Sequence, residues 1–245
     1  MNWLNCGVTT QAEWPSSRKE VKFGDHMFVL LPRTKEYSAS IHIELTGISS
    51  NHGLTLVNRF LSSLSWKCDA PAINHYGWSG SPELMPVPRH DIPFGYSPFD
   101  HFPSELIEID EEKAKLAVAL YRDGRSLDSV PFQFLSYFKI LNIIWTDSKK
   151  NGVNLLVAGL KSVLDDITDN DAIQRINEIQ KDHGDPAHYL YKSGRCAVAH
   201  AFSDPVVDPD DIDDVHRLSK DLWLMQQVAK LAIEKQFNIE QSIWK

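Results

Sequence analysis

Amphipathic helical periodicity runs from about residue 110 to residue 237, and it constrains the fold more than any other feature of the sequence. The clearest example is "VPFQFLSYFKILNIIWTD" (130–147), where Phe134, Tyr137, Phe138 and Leu141 form a wide apolar stripe. Stripes of this kind can close on one another, so they predict a compact helical bundle. Further helices are predicted over 111–122, 153–167, 170–184, 186–201 and 214–237.

Residues at the ends of these segments support the helix assignments. Asp110 is predicted to cap the first helix, and Pro131 falls in a first turn, where proline is tolerated. Gly184 is predicted to end the helix before it. The acidic stretch "DPVVDPDDIDD" (204–214) lacks the spacing and glycine of an EF-hand, so its late aspartates are interpreted as caps of the last helix rather than calcium ligands.

The first hundred residues have a different pattern, which is typical of β-strands. "HMFVLLP" (26–32) is predicted as a buried strand, and "SASIHIELTG" (38–47) as a half-buried strand with His42 and Glu44 on its polar side. A helix is predicted over 53–66, and the proline- and glycine-rich segment 69–103 is interpreted as strands and loops. The sequence therefore predicts an α+β protein. A β-containing N-terminal domain (1–104) precedes an all-α helical bundle (105–245).

Charge and cysteine content narrow the possible functions. The net charge is −8, and residues 105–245 carry 17 basic and 24 acidic side chains, a net of −7. This argues against a broad basic surface for nucleic acid, so any RNA contact has to be local. The three cysteines form no CxxC pair, and no apolar run is long enough to span a membrane. We expect a cytoplasmic protein without a metal site, without a cofactor and without a membrane partner.

An arginine and a histidine stand five residues apart in the apolar stretch "GRCAVAHA" (194–201), which precedes the acidic segment. Packing alone gives no reason for charge at these positions, so Arg195 and His200 are the candidate site residues. One interpretation is a helix-end ion pair beside the acidic loop. The other is a catalytic pair.

The second interpretation comes with a family resemblance. A helical C-terminal half with Arg-x4-His in its penultimate helix resembles the HEPN superfamily, and the MauJ-like and Apea-like branch fits more closely. The matching segments are "LYRDGRSLDSVPFQFLSYFKILNIIW", "GRCAVAHA" and "VHRLSKDLWLMQQVAKLAIEK". The resemblance implies a HEPN-like bundle over 105–245 that cleaves RNA without metal, as a homodimer, in stress or anti-phage defence. Arg195 would then stabilise the transition state, and His200 would act as the general acid or base.

Helix geometry is consistent with a dimer. In an ideal α-helix, five steps turn about 500°, which leaves Arg195 and His200 about 140° apart and about 7.5 Å along the axis. One helix therefore cannot point both side chains at one atom, whereas two helices across a twofold axis can. The small residues Ala197, Ala199 and Ala201 would let such helices approach closely.

A catalytically silent binding or accessory module is the alternative function. Many active HEPN nucleases have Asn or Asp directly after the arginine, and this chain has Cys196 there. The net charge of −7 also favours a silent module. The MauJ-like resemblance would give such a module an accessory role around methylamine metabolism.

Overall fold

The computed structural model describes residues 2–89, 102–103, 105–145, 152–196, 198, 207–208 and 210–241. The described residues cluster into two compact units. The N-terminal unit runs to Asp110 and includes Gln241, and the C-terminal unit is Glu111–Glu240. An antiparallel sheet in the first unit and helices in the second confirm the predicted α+β class.

The N-terminal unit is a five-stranded antiparallel sheet with one helix packed on it. The strand order is β2-β3-β4-β1-β5, so the first strand lies inside the sheet and pairs with both the fourth and the fifth. The elements are β1 (Trp3–Thr10), β2 (Lys19–Phe23), β3 (His26–Leu31), β4 (Ser40–Glu44), α1 (Ser50–Cys68) and β5 (Ala72–Ser81).

The apolar face of the sheet and helix α1 form the core of this unit. Alternate residues of a strand point to opposite faces, which places Cys6 and Ile41 on the same side as their apolar neighbours. Phe60 from α1 is fully buried, and its ring lies 5.2 Å from that of Phe28 in β3. Burying a side chain of this size contributes roughly 1.5–3 kcal/mol, so this face accounts for much of the stability of the unit.

The C-terminal unit is a helical bundle, as predicted. Pro131 lies in the first turn of its second helix, and Gly184 ends α5 with a φ of 84°. Asp211 caps the last helix by accepting a hydrogen bond from the Asp213 N–H. The helices are α2 (Glu112–Ser126), α3 (Val130–Trp145), α4 (Gly152–Leu164), α5 (Asn170–His183), α6 (Pro186–Tyr189) and α7 (Ile212–Phe237), with a π-helix (Leu190–Cys196) after α6.

One predicted cap is wrong. Glu111, not Asp110, is the N-cap of α2, and its side chain makes no capping hydrogen bond. None of the helices in the described part of the chain is long and apolar enough to cross a bilayer.

Helix α3 is the centre of the bundle and packs against α2, α4, α7 and the π-helix. The predicted stripe is buried at Phe134, Tyr137, Phe138 and Leu141, and the Tyr121 ring of α2 lies 5.6 Å from that of Tyr137. These tyrosines are therefore core residues and are not available to stack on a ligand.

The second face of the N-terminal sheet carries a buried polar chain that contradicts the sequence prediction for His42. Asn5 and His42 are direct partners across β1 and β4, and both are fully buried. His42 Nδ1 lies 2.8 Å from Asn5 Oδ1, and His42 Nε2 lies 2.8 Å from Ser40 Oγ. His42 was predicted to face solvent because the strand alternates.

That prediction fails because the chain after β5 returns along this face. The Met85 N–H donates to Asn5 Oδ1 at 3.0 Å, the Ser38 N–H donates to the carbonyl of Val87, and Val87 is fully buried. Asn5 accepts through Oδ1, so His42 carries its proton on Nδ1 and accepts from Ser40 through Nε2. A serine–histidine–asparagine chain of this order can activate a nucleophile. Here, however, all three residues are buried, so it is a structural element of the core.

Burial, followed by the charge of Arg18, lowers the pKa of His42 from 6.5 to about 4. The folded state therefore holds a neutral imidazole over a pH range in which the unfolded chain takes up a proton. The contribution of His42 to the free energy of unfolding is fully present above pH 6.5, and it is lost as the pH drops from 6.5 towards 4. The full loss is about 3 kcal/mol, at 1.36 kcal/mol per pKa unit.

We predict that His42→Gln removes this part of the acid sensitivity. Wild-type protein should lose about 2–3 kcal/mol more than the variant between pH 7 and pH 4.5, because only the wild type has an imidazole to protonate on unfolding. Urea unfolding at the two pH values measures the difference. His52→Gln, at an exposed position of α1, is the matched control and should keep the wild-type pH dependence. Parallel pH profiles for wild type and His42→Gln would contradict the proposed protonation.

Candidate functional site: the Arg195 segment and a basic groove

Arg195 lies in the π-helix Leu190–Cys196. The prediction of one α-helix over 186–201 is wrong here, because α6 ends at Tyr189 and the next seven residues adopt the wider i→i+5 turn. The 140° offset holds only for an ideal α-helix, so it does not apply around Arg195. π-Helical turns are rare in proteins and frequently occur at functional sites.

Gly194 fixes this segment against α3. It is buried, and a Cβ at this position would lie 2.2 Å from Cζ of Phe134. No side chain fits that space, so the π-helix approaches the Phe134 ring more closely than any other residue would allow. The neighbouring Tyr191 ring lies 6.2 Å from the ring of Phe138. The backbone that carries Arg195 is thus held by aromatic residues of the predicted stripe.

The described part of the structure does not include the side chains of both residues of the predicted pair. The backbone of Arg195 is described, but its side chain and that of Cys196 lie outside the described set, as does the whole of His200. The small residues Ala197, Ala199 and Ala201 also lie outside it. The catalytic assignment of Arg195 and His200 therefore stays a prediction.

The buried carboxylate of Asp221 links three helices at the place where the π-helix begins. Asp221 of α7 is fully buried, and its Oδ1 accepts from Arg175 Nε of α5 at 2.8 Å and lies 2.7 Å from Arg175 Nη2. Its Oδ2 accepts from the Tyr189 hydroxyl of α6 at 3.0 Å. Both carboxylate oxygens are satisfied, as a buried charge requires. Because Tyr189 directly precedes the π-helix, this network also fixes where the Arg195 segment begins.

The pKa of Arg175 is shifted as a charged pair requires, whereas burial shifts that of Asp221 the other way. Burial opposes the charge of Arg175, but Asp221 and then Glu178 outweigh that effect, so the pKa of the guanidinium is raised. Burial also raises the pKa of the Asp221 carboxyl, and Arg175 counteracts this by stabilising the ionised form. The pKa of Tyr189 is raised by burial and by Asp221, so its hydroxyl keeps its proton and donates it.

A groove of about 800 Å³ opens beside this network, between α5, α6 and the start of α7. We call it the basic groove. Two aspartates also line it, and the remaining lining residues are three cations, two histidines and a tyrosine: Arg175, Arg217, Lys220, His183, His216 and Tyr189. It is a local concentration of donors in a unit whose sequence is acidic overall.

The groove has mixed charge, because Arg175 pairs with Asp221 and Arg217 lies beside Asp214. Among the described residues, no three His, Cys, Asp or Glu side chains are placed to hold one metal. Arg217 and Lys220 lie one turn apart on α7, so their positive charges add along the same face. Arg217 Nη2 lies 3.7 Å from Asp214 Oδ1, so its guanidinium is held near the groove wall.

Two other arginines, Arg122 and Arg125 of α2, are half-buried. The Arg122 side chain is only 17% exposed, and Arg125 Nη1 donates to Gln226 Oε1 at 3.2 Å. Gln226 also donates to the buried Tyr121 hydroxyl at 3.2 Å, so this polar contact joins α2 to α7. Arg125 therefore contributes to the contact between α2 and α7.

Comparison with known proteins places only the C-terminal region. Residues 117–234, slightly less than half of the chain, match the family described as "Methylamine utilization protein MauJ". The MauJ-like character predicted for the helical region is thereby confirmed for that range, which holds the Asp221 network, the basic groove and the Arg195–His200 segment. No curated protein and no solved structure matches the chain.

Sequence reasoning did not identify the Asp221 network or the basic groove. A signal was present, because Asp221 stands on the apolar stripe of α7, three residues after Leu218 and four before Met225. A carboxylate in that position requires a cationic partner. On the same helix Leu222 is only half-buried, whereas Asp221 and Leu224 are buried.

We predict that Asp221→Asn destabilises the C-terminal unit by about 3 kcal/mol, because it removes the buried countercharge of Arg175 and leaves only the exposed Glu178. Urea unfolding followed by far-UV circular dichroism measures the change. Asp213→Asn, an exposed aspartate eight residues earlier on α7, is the control and should change stability by no more than about 0.5 kcal/mol. Equal effects of the two substitutions would show that Asp221 does not hold these helices together.

Proposed function

We propose that the C-terminal unit is a HEPN-type, metal-independent endoribonuclease whose catalytic residues are Arg195 and His200. The observation that carries the proposal is the position of Arg195. It lies in a π-helix, held against Phe134 through Gly194, inside the MauJ-like region. A rare backbone form fixed so tightly around an arginine of the predicted motif supports a functional site better than a solvated helix end.

The proposed chemistry uses the two side chains in different ways. A histidine has an ordinary pKa near 6.5, so it can accept the proton of the ribose 2′-hydroxyl or give one to the leaving 5′-oxygen. The 2′-oxygen then bonds to phosphorus as the bond to the 5′-oxygen breaks. Arginine stays charged and offers paired donors to the phosphate as it gains negative charge. The products are a 2′,3′-cyclic phosphate and a free 5′-hydroxyl.

In this proposal the helical domain, residues 105–245, forms a homodimer in the cytoplasm and acts in stress or anti-phage defence. The N-terminal domain, residues 1–104, would recognise a trigger or the substrate. The serine–histidine–asparagine chain of its sheet is buried, so that chain cannot reach a substrate.

A silent MauJ-like accessory module is the second candidate. Cys196 stands where many HEPN nucleases have an amide or carboxylate, and a thiol cannot replace either group. The description of the matched family names methylamine utilization, so such a module would have an accessory role in that metabolism. In this case Arg195 and His200 would be structural, beside the acidic segment 204–214.

We predict that His200→Ala abolishes RNA cleavage while leaving the melting temperature nearly unchanged. General acid–base catalysis contributes about 10²–10⁴-fold, so gel analysis of labelled RNA shows the loss clearly. Arg195→Lys should also be poorly active, because an ammonium lacks the planar fork that holds two phosphate oxygens. If wild-type protein leaves varied RNAs intact and His200→Ala costs several kcal/mol of stability, the silent-module function is correct.

We also predict that the protein is a dimer at micromolar concentration. In the proposed nuclease, Arg195 and His200 of two copies line one cleft, so the site requires both copies. Multi-angle light scattering gives the mass, which is 27.9 kDa for one chain and twice that value for the dimer. A strict monomer would rule out the shared cleft.

A further inference from the structure

We propose that the segment after β5, residues 82–89, is a cover that acid releases from the face of the N-terminal sheet, and that His42 is the group that takes up the proton. We call this segment the strap. Its release exposes the polar side chains of Asn5, Ser40 and His42 and leaves the strands paired. The device belongs to the N-terminal unit, so it does not depend on RNA cleavage by the helical unit.

One oxygen atom links the strap to the histidine. Asn5 Oδ1 lies 2.8 Å from His42 Nδ1 and also accepts from the Met85 N–H of the strap at 3.0 Å. Asn5 Nδ2 donates to Ser81 Oγ at 2.7 Å, at the residue where β5 ends and the strap begins. The imidazole and the strap therefore share one acceptor, and the side chain that provides it also holds the start of the strap.

The strap is attached to the sheet less firmly than the strands are attached to one another. Three of its eight residues are proline, which has no N–H to donate, so it cannot form a full ladder. At its far end the Ser38 N–H donates to the Val87 carbonyl, and the Arg89 N–H donates to the Glu36 carbonyl. By contrast, β1 and β4 are paired over five residues, and β1 also pairs with β5. Segments with few such bonds open at a lower free energy than the ladders of a core sheet.

The closed strap disfavours the charged imidazole. In the closed state His42 is fully buried, and its pKa falls to about 4, first through burial and then through the charge of Arg18. In the open state water reaches the ring, so its pKa returns to the ordinary value of 6.5. Opening therefore takes up a proton between these two pH values, and the opening equilibrium rises as the pH falls below 6.5.

Other ionisable side chains surround His42 on this face of the sheet, next to β2 and on the strap. By their place in the strands and in the strap they are Arg18, Glu20, Lys22, Glu44, His75, Glu83 and Arg89. Arg18 pairs with Glu20 at 3.1 Å, and His75 Nε2 meets Thr9 Oγ1 of β1. Histidine is the residue type among these that ordinarily titrates between pH 5 and 7, so His75 needs its own control.

Amide hydrogen exchange of the full chain, followed by NMR, measures the opening directly. The protection factor of the Met85 N–H is compared at pH 7 and pH 5, after correction for the intrinsic exchange rate at each pH. We expect it to fall about 20-fold, which is the increase in opening that pKa values of 6.5 and about 4 produce over this range. The Ser38 N–H, which also bonds to the strap, should follow it.

Urea separates release of the strap from unfolding of the whole unit. Local release exposes little surface, so exchange of the Met85 N–H should barely change at low urea concentrations. Amides in the ladder between β1 and β4 should instead exchange faster as urea is added. If Met85 and the ladder amides show the same protection and the same urea dependence, the strap opens only together with the sheet, and the proposal is overturned.

His42→Gln removes the group that binds the proton and keeps a side chain that can donate to Asn5. The Met85 protection factor of this variant should differ by less than about twofold between the two pH values. His75→Gln, which removes another histidine from the same face, is the matched control and should keep the fall of about 20-fold. An undiminished fall in His42→Gln, or its loss in His75→Gln, would overturn the role assigned to His42.

Asn5→Asp tests the same coupling in a chain that keeps the histidine. A carboxylate beside the imidazole stabilises its charged form and can still accept from the Met85 N–H, so the closed state no longer excludes the proton. The fall in protection between pH 7 and pH 5 should therefore disappear. A fall as large as that of the wild type would overturn the proposal, whether or not His42→Gln folds.

Discussion

The buried carboxylate of Asp221 is the interaction on which the C-terminal unit depends. It brings together Arg175 from α5, Tyr189 from α6 and its own helix α7. Without a cation and a hydroxyl to satisfy it, a charge at this depth would cost several kcal/mol. The basic groove exists because these three helices meet here, and the Arg195 segment begins where the Tyr189 helix ends.

Much of the helical unit could be predicted because the apolar residues that stabilise it recur at helical spacing, and this spacing is visible in the sequence. A stripe such as Phe134–Leu141 states which side of a helix is buried, and caps such as Asp211 and Gly184 mark where helices begin and end. The same local signals identified β3, β4 and α1 in the N-terminal unit. The MauJ-like character of residues 117–234 was also predictable, from the segments that surround the motif.

The rest depends on contacts between distant residues, which periodicity does not contain. His42 looks solvent-facing in its own strand, and only its pairing with Asn5 and the return of the chain near Met85 bury it. Asp221 needs a partner 46 residues away in sequence, and the groove needs three helix segments at once. The π-helix was missed because the ideal α-helix was applied to a segment that Gly194 and Phe134 hold in another form.

If the MauJ-like unit cleaves RNA at the proposed metal-independent Arg–His site, the chemical ends of the products will show it. The purified protein is incubated with end-labelled RNA in the presence of EDTA, and the fragments are analysed by mass spectrometry. The account predicts 2′,3′-cyclic phosphate and 5′-hydroxyl ends. Intact RNA, or fragments with 5′-phosphate and 3′-hydroxyl ends, would contradict it.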